Sequence, residues 1–251
     1  MGVLRLATAP LIYPLKALLR TLPVSVGEPI AFETKSFLGR LFARRLRLDS
    51  ARPNYLNLGA ADDRFENYVA MDFFSRNAGY GADLRYPLLI DNSVFEGIFT
   101  EHTLEHLTYA EVARVLAECL RILKPSGRIR IIVPDMALFA ENYARKNDAW
   151  FRAWEQAVLE PRGRRMISHM EALSFVTQEY GHRSAWDMDT MEKFLARAGF
   201  IDIRKCALRE GADLHLLRDK EDSDRVIISL YVEARKPDPA LPNGQPAGQQ
   251  S

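Results

Sequence analysis

Between Tyr55 and Arg235, short apolar runs bounded by Gly, Pro or Asp alternate with longer stretches of helical period, and this alternation limits the fold more than any other feature. Strands separated by helix-length connections pair in parallel, and a parallel sheet needs cover on its faces, so the pattern requires an α/β domain. Strand patterns occur at YLNLG (55–59), YVAMD (68–72), weakly around Gly81 to Leu84, at VFEGIFT (94–100), RIRIIVP (128–134), FIDIRKCAL (200–208) and RVIISLYVEAR (225–235). A helix is expected from about Leu104 to Leu123, stopped at Lys124-Pro125-Ser126-Gly127. Residues 135–185 read as a long helical insertion rich in aromatics: Phe139, Tyr143, Trp150, Phe151 and Trp154. Asp187 or Asp189 caps the next helix, MDTMEKFLARAGF, which ends at Gly199.

Composition bounds the remainder. With 47% hydrophobic and 27% charged residues in 251, the chain has a globular balance, and one main domain is the default. A net charge of +1 provides no field that would draw the whole protein onto nucleic acid, and no nucleic-acid partner is expected. Three segments follow: an extension over 1–50, a domain over 51–236, and a Pro/Gly/Gln-rich tail over 237–251 expected to be disordered. Within the extension, TKSFLGRLFARRLR (34–47) reads as an amphipathic helix, with Phe37, Leu38, Leu41 and Phe42 near one face. Leu4, Leu6, Leu11, Ile12, Leu15, Leu18 and Leu19, interleaved with Arg5, Lys16 and Arg20, suit either packing on the domain or peripheral contact of 1–47 with an anionic membrane. Pro10 and Pro14 break this run, which reads neither as a spanning helix nor as a signal peptide, so a cytoplasmic, at most membrane-associated, location is expected. Cys119 and Cys206 lie outside any CxxC pair, which argues against a disulfide framework and a metal cluster.

Four features that carry chemistry fall at the carboxyl ends of predicted strands, the rim where open α/β sheets bind ligands. In LNLGAADD (56–63), Asn57 leads to a turn at Gly59, Ala60 and Ala61, where the backbone can approach a ligand and amides can meet an anion. Asp72 ends the second strand, where a carboxylate accepts both hydroxyls of a ribose. Asp83 and Leu84 suit the flank of an adenine ring, and TEHTLEHL places Glu101, His102, Glu105 and His106 at a strand-to-helix edge.

Taken in order, LNLGAADD, YVAMD, ADLRYPLLIDNSVFEGIFTEHTLEHL, ECLRILKPSGRIRIIVPD and HRSAWDMDTMEKFLARAGF resemble the class I S-adenosylmethionine-dependent methyltransferases over about residues 54–235. The resemblance implies a Rossmann-like, seven-stranded, mostly parallel sheet with its last strand antiparallel, helices on both faces and the helical insertion after strand five. It also implies an S-adenosylmethionine site at Asn57, Gly59, Ala60, Ala61, Asp72, Asp83, Leu84, Glu101 and His102, with no metal. The chain departs from the family at Ala61, where a second glycine is usual. It departs again in the roughly eight residues between Gly59 and the next strand, which shorten the first helix to a turn or less.

Methyl transfer to oxygen needs a base, and histidine suits neutral pH. Of five histidines, His182 and His102 are the candidates. The insertion is expected to cap the acceptor, with Trp150, Trp154, Arg162, Arg164, Arg165 and His169 suited to a polar or anionic ligand. A sugar or polysaccharide-related hydroxyl is the first reading of the acceptor, by analogy with similar proteins, and a small metabolite or lipid-linked acceptor the second. Two rivals remain: a non-catalytic binding protein, and a metallohydrolase in which His102-x-x-Glu105-His106 holds zinc with Glu155 or Glu171 as third ligand. A nicotinamide enzyme would need G-x-G-x-x-G, and the chain has a single glycine there.

Overall fold

The computed structural model describes residues 23–49, 52–73, 75 and 78–240. The leucine-rich segment 1–22 and the tail from 241 lie outside them. The chain divides at Arg44/Arg45 into two compact units rather than at residue 50. Leu46 explains the shift, because it bridges Ile90 and packs on the domain core together with Leu48. In the first unit, helix α1 runs over Val24–Leu41, ten residues earlier than the amphipathic pattern begins, and carries Pro29 inside its first turns. Residues 43–47, which that pattern included, are not helical. Among the described residues, no helix is long and apolar enough to cross a membrane.

The second unit is built on one six-stranded sheet, β1 (Tyr55–Leu58), β2 (Tyr68–Met71), β3 (Phe95–Glu101), β4 (Leu123–Pro134), β5 (Ile201–Cys206) and β6 (Ser229–Arg235), in the order β2-β1-β3-β4-β6-β5. The first four strands run parallel, and β6 lies antiparallel to both β4 and β5. This is the expected Rossmann-like arrangement with one strand fewer. The weak pattern at Gly81–Leu84 is reduced to a single bridge from Tyr80 to Met71. Glycines at 79 and 81 and the absence of apolar alternation leave that segment little to bury as a strand.

Alternation along the strands separates two apolar layers. Leu56, Leu58, Ile98, Ile129, Ile131, Val133, Leu230 and Val232 meet Val112, Leu116, Cys119, Met191 and Leu195 from α2 (Tyr109–Ile122) and α6 (Met188–Ala198). Tyr55, Phe99, Ile132 and Tyr231 face the other way, against Leu216, Phe65 and Tyr68. Within this unit, that second face is covered by the loop segment following β5 rather than by a long helix.

Helix α2 starts five residues later than the sequence pattern suggested. Thr108 and Glu111 form a reciprocal capping box at Tyr109, and Leu104–His106 is a separate 3-10 turn. The Lys124–Gly127 stop does end the helix, but it is absorbed into β4 as a bulge: Phe95 pairs with Leu123, and Gly97 pairs with Arg128. A Cβ on Gly127 would lie 2.8 Å from the Lys124 carbonyl oxygen and 2.9 Å from that of Glu96, so the bulge excludes larger residues. At α6 the cap is Asp187, whose side chain accepts from the Thr190 amide at 2.8 Å, and Gly199 ends the helix in the left-handed region at φ 101°.

The insertion folds as α3 (Met136–Ala144), α4 (Asp148–Trp154) continued by one wide π-type turn through Leu159, and α5 (His169–Gln178). It has a core of its own, in which Phe139, Phe151, Trp154, Val158, Phe175 and Val176 pack together.

Candidate functional site

Backbone hydrogen bonds bring the expected rim together. The Gly59 and Ala60 amides both donate to the Met71 carbonyl at 2.9 Å, which ties the β1 turn to the end of β2. These amides therefore face protein rather than a ligand. The Ala61 amide donates to Asp72 Oδ2 at 3.0 Å, and the Ser75 amide donates to Oδ1 at 2.6 Å. Asp72 is thereby held at the rim with its orientation set by two amides. No helix forms between β1 and β2, and the chain crosses on turns alone. Gly59 adopts φ 76°, and a Cβ there would lie 2.0 Å from Thr103 Oγ1, so Thr103 occupies the space that the missing side chain leaves.

The remaining expected donor-site residues are already partnered inside the fold. Asn57 is buried in β1. Asp83 is buried against Arg85, whose Nη2 lies 2.7 Å from Oδ2. Leu84 packs on the main core. Glu101 is nearly buried, accepts from the Lys220 amide at 3.2 Å and lies 3.6 Å from Arg225. Burial raises its pKa, and Arg225 and the Lys220 amide offset part of that rise.

Beyond β3 the chain passes into a cluster that sequence reasoning only half assembled. His102 holds φ 48°, a sparsely populated conformation for a residue with a Cβ, and its amide donates to the Ile132 carbonyl at 2.9 Å. Its Nε2 lies 3.0 Å from Ser229 Oγ, and its Nδ1 lies 3.2 Å from Glu105 Oε1, close enough for an ion pair but not aligned as a hydrogen bond. Both ring nitrogens of His102 are thus engaged. Glu105 is 1% exposed, and neither carboxylate oxygen has a hydrogen-bond partner among the described residues. Burial opposes its ionisation, but the contact with His102 and the charges of His102 and His106 prevail and hold the carboxyl below its ordinary range.

The Glu105 main chain recruits the third histidine. Its carbonyl accepts from the Arg183 amide at 2.7 Å and the Ser184 amide at 3.2 Å, which brings His182 beside His106 with ring centroids 4.9 Å apart. His182 Nδ1 lies 2.6 Å from the Val176 carbonyl, an acceptor only, so Nδ1 carries the proton and Nε2 keeps its lone pair. Burial lowers the pKa of this ring, so the neutral form prevails near pH 7.

These residues line a cavity of about 360 Å³ between the β3/β4 rim and the insertion, walled also by Trp154, Arg162, Phe175, Tyr180 and Arg225. The indole Nε1 of Trp154 is buried, with no hydrogen-bond partner among the described residues. Of the insertion residues expected against an acceptor, only Trp154 and Arg162 line this cavity. Trp150 packs on Phe139 and Phe151, Arg164 pairs with Glu179 at 2.7 Å, Arg165 lies 3.5 Å from Glu160, and His169 stacks on Phe151 at 4.1 Å. The aromatic density of the segment chiefly builds its own core. The inverted zinc-protease arrangement is also absent: residues 104–106 form a 3-10 turn, Glu155 accepts from the Met166 amide, and Glu171 caps α5.

Residues 57–131, from within β1 to within β4, match the family model described as a methyltransferase domain. Four of the five motifs quoted above for the resemblance overlap this segment. No curated protein matches the chain. Among solved structures the chain is similar to phosphoethanolamine N-methyltransferase 2 of Haemonchus contortus in complex with S-adenosyl-L-methionine, at 12% identity, covering 80% of this chain and 51% of that one, with a TM-score of 0.43. It is also similar to an S-adenosylmethionine-dependent methyltransferase from Archaeoglobus fulgidus, at 15% identity, covering 81% and 93% of the two chains, with a TM-score of 0.43. The chain thus spans about half the length of the Haemonchus protein.

Proposed function

We propose that this methyltransferase domain uses S-adenosylmethionine to methylate a polar acceptor held in the cavity beneath the insertion. The first reading is a sugar or polysaccharide-related hydroxyl, and a small metabolite or lipid-linked acceptor is the second. The observation that carries the reading is the methyltransferase-domain match over 57–131, which spans the turn at Gly59 and the fixed carboxylate of Asp72. Asp72 fits the donor: an anchored carboxylate at the end of the second strand suits the two hydroxyls of a ribose. When bound, S-adenosylmethionine supplies an electrophilic methyl group that moves to a nucleophile by in-line displacement.

The chain's own groups then serve orientation and proton removal, and alignment alone lowers the barrier of such a displacement substantially. His182 Nε2 is the proton acceptor for the acceptor hydroxyl, because it keeps a lone pair on the cavity wall while Val176 fixes the opposite nitrogen. With both nitrogens engaged, His102 is a positioning residue that holds Glu105 and the end of β3.

Calorimetry with S-adenosylmethionine tests the donor site. The wild-type protein binds it, and Asp72→Ala loses most of the affinity, at roughly 1.5–3 kcal/mol for each hydrogen bond to the charged group. Equal affinity in a folded Asp72→Ala protein refutes the assignment. Glycan and metabolite profiling of a deletion strain separates the two acceptor classes.

A further inference from the structure

Three side chains in the cavity form a constellation that the methyl-donor reading does not require. Glu105, His106 and His182 each present a ligand atom, and those atoms lie within 4.8 Å of one another. We infer that Glu105, His106 and His182 form a binding site for a divalent transition-metal ion, zinc foremost. The inference rests on the geometry of the cavity and not on the methyl-donor reading.

Several independent observations converge on it. A buried carboxylate is costly unless its charge is compensated; neither oxygen of Glu105 has a hydrogen-bond partner among the described residues, and His102 Nδ1 approaches Oε1 at 3.2 Å as an ion pair without hydrogen-bond alignment. An ion at this point would compensate that charge directly. His182 already has the second shell of a metal-binding histidine: its Nδ1 is bonded to a backbone carbonyl, which fixes the tautomer and leaves Nε2 as the donor. The donor set, two imidazoles and one carboxylate, is a ligand set zinc uses where a fourth position stays open, and here that position would face the cavity. Tetrahedral zinc with bonds of about 2.0–2.1 Å needs ligand atoms about 3.4 Å apart, so a bound ion would draw together atoms that already lie within 4.8 Å of one another.

The site differs from the inverted zinc-protease motif, because its third ligand is His182 and His102 takes no part in it. The Nε2 lone pair of His182 cannot serve a proton and an ion together. Metal occupancy and the base role are therefore alternative states of one residue.

The test uses the full chain without a histidine tag, stripped by chelator, then titrated with zinc in competition with a chromogenic chelator. The expected result is one zinc per chain in the wild type. Glu105→Gln and His106→Gln should weaken affinity by more than the 10–100-fold typical of losing an outer-shell partner. Cobalt(II) loading of the wild type provides a check that needs no variant: intense visible bands of four- or five-coordinate cobalt are expected. Absence of zinc binding, equal binding by the folded variants, or a weak octahedral cobalt spectrum each overturns the site. S-adenosylmethionine affinity, measured on the same stripped protein, keeps the two readings apart. Donor binding without zinc binding removes this inference alone, and zinc binding without donor binding removes the methyltransferase reading alone.

Discussion

At the scale of single residues, the division of labour among the histidines follows from which ring nitrogens are already occupied. His102 has both engaged, while His182 lines the cavity with one nitrogen fixed by Val176. His182→Gln is therefore expected to lower kcat by about 10²–10⁴-fold while leaving S-adenosylmethionine affinity unchanged. Single-turnover kinetics beside calorimetry check this, and a parallel loss of donor binding would mean that His182 supports the fold instead. His102 and Asp72 stand out in the sequence because strand ends in open α/β sheets collect ligand-binding groups, and His182 stands out by its place ahead of α6. Their partners were not legible. Ser229 lies 127 residues from His102, and nothing in a linear pattern marks that contact. Thr103 could have been anticipated, since a strand-end glycine announces close approach by something, but not by which side chain.

At the scale of elements, caps and stop signals were the most readable features. Asp187, Gly199 and the Lys124–Gly127 stop mark true boundaries, and the start of α2 was written in Thr108-x-x-Glu111 although the apolar period extended past it. Asp187→Ala should destabilise the protein by about 1 kcal/mol near neutral pH, read from urea unfolding. The Thr190 side chain and amide hold the Asp187 carboxyl below its ordinary value of 3.8. A depressed carboxyl contributes stability that is complete above the unfolded value and disappears as pH falls through the folded one. The difference between wild type and Asp187→Ala is therefore expected to be constant above about pH 5 and to shrink below pH 3.8. A difference that persists unchanged at low pH would argue against the cap as its source. The insertion shows the limit of composition as a guide. Its aromatics suggested a binding wall, and most of them form a core, because a helical excursion of this length must bury its own apolar faces.

At the scale of the whole molecule, the parallel α/β sheet followed from the alternation of elements and the antiparallel last strand from the family resemblance, while the strand order, the strand count and the cover of the second face did not. That face contains a buried ion network: the Arg130 guanidinium bonds Asp219 and lies 3.2 Å from Glu233, all three side chains fully buried. Arg130→Met is expected to cost about 3–5 kcal/mol in urea unfolding, because it leaves buried carboxylates uncompensated. An effect below 1 kcal/mol would show that water reaches the network. The leucine-rich extension yields a separate prediction. If residues 1–47 rest on anionic membranes, intact protein co-sediments with anionic liposomes at low salt, and loss of residues 1–25 or high salt abolishes it. Equal sedimentation of both forms leaves packing on the protein as the role of those leucines.

The two ends of the insertion meet. Met136 donates to the Trp186 carbonyl at 2.8 Å, and Asp135 bridges the same residue as the chain returns. Trp154, Arg162, Phe175, Tyr180 and His182 therefore reach the cavity wall on a segment whose two ends are joined beside the end of β4. Such a segment is a cassette. On the proposed reading, a change within residues 136–185 therefore reaches the acceptor pocket and its base, His182, together, whereas Asp72 and the four parallel strands lie outside the segment.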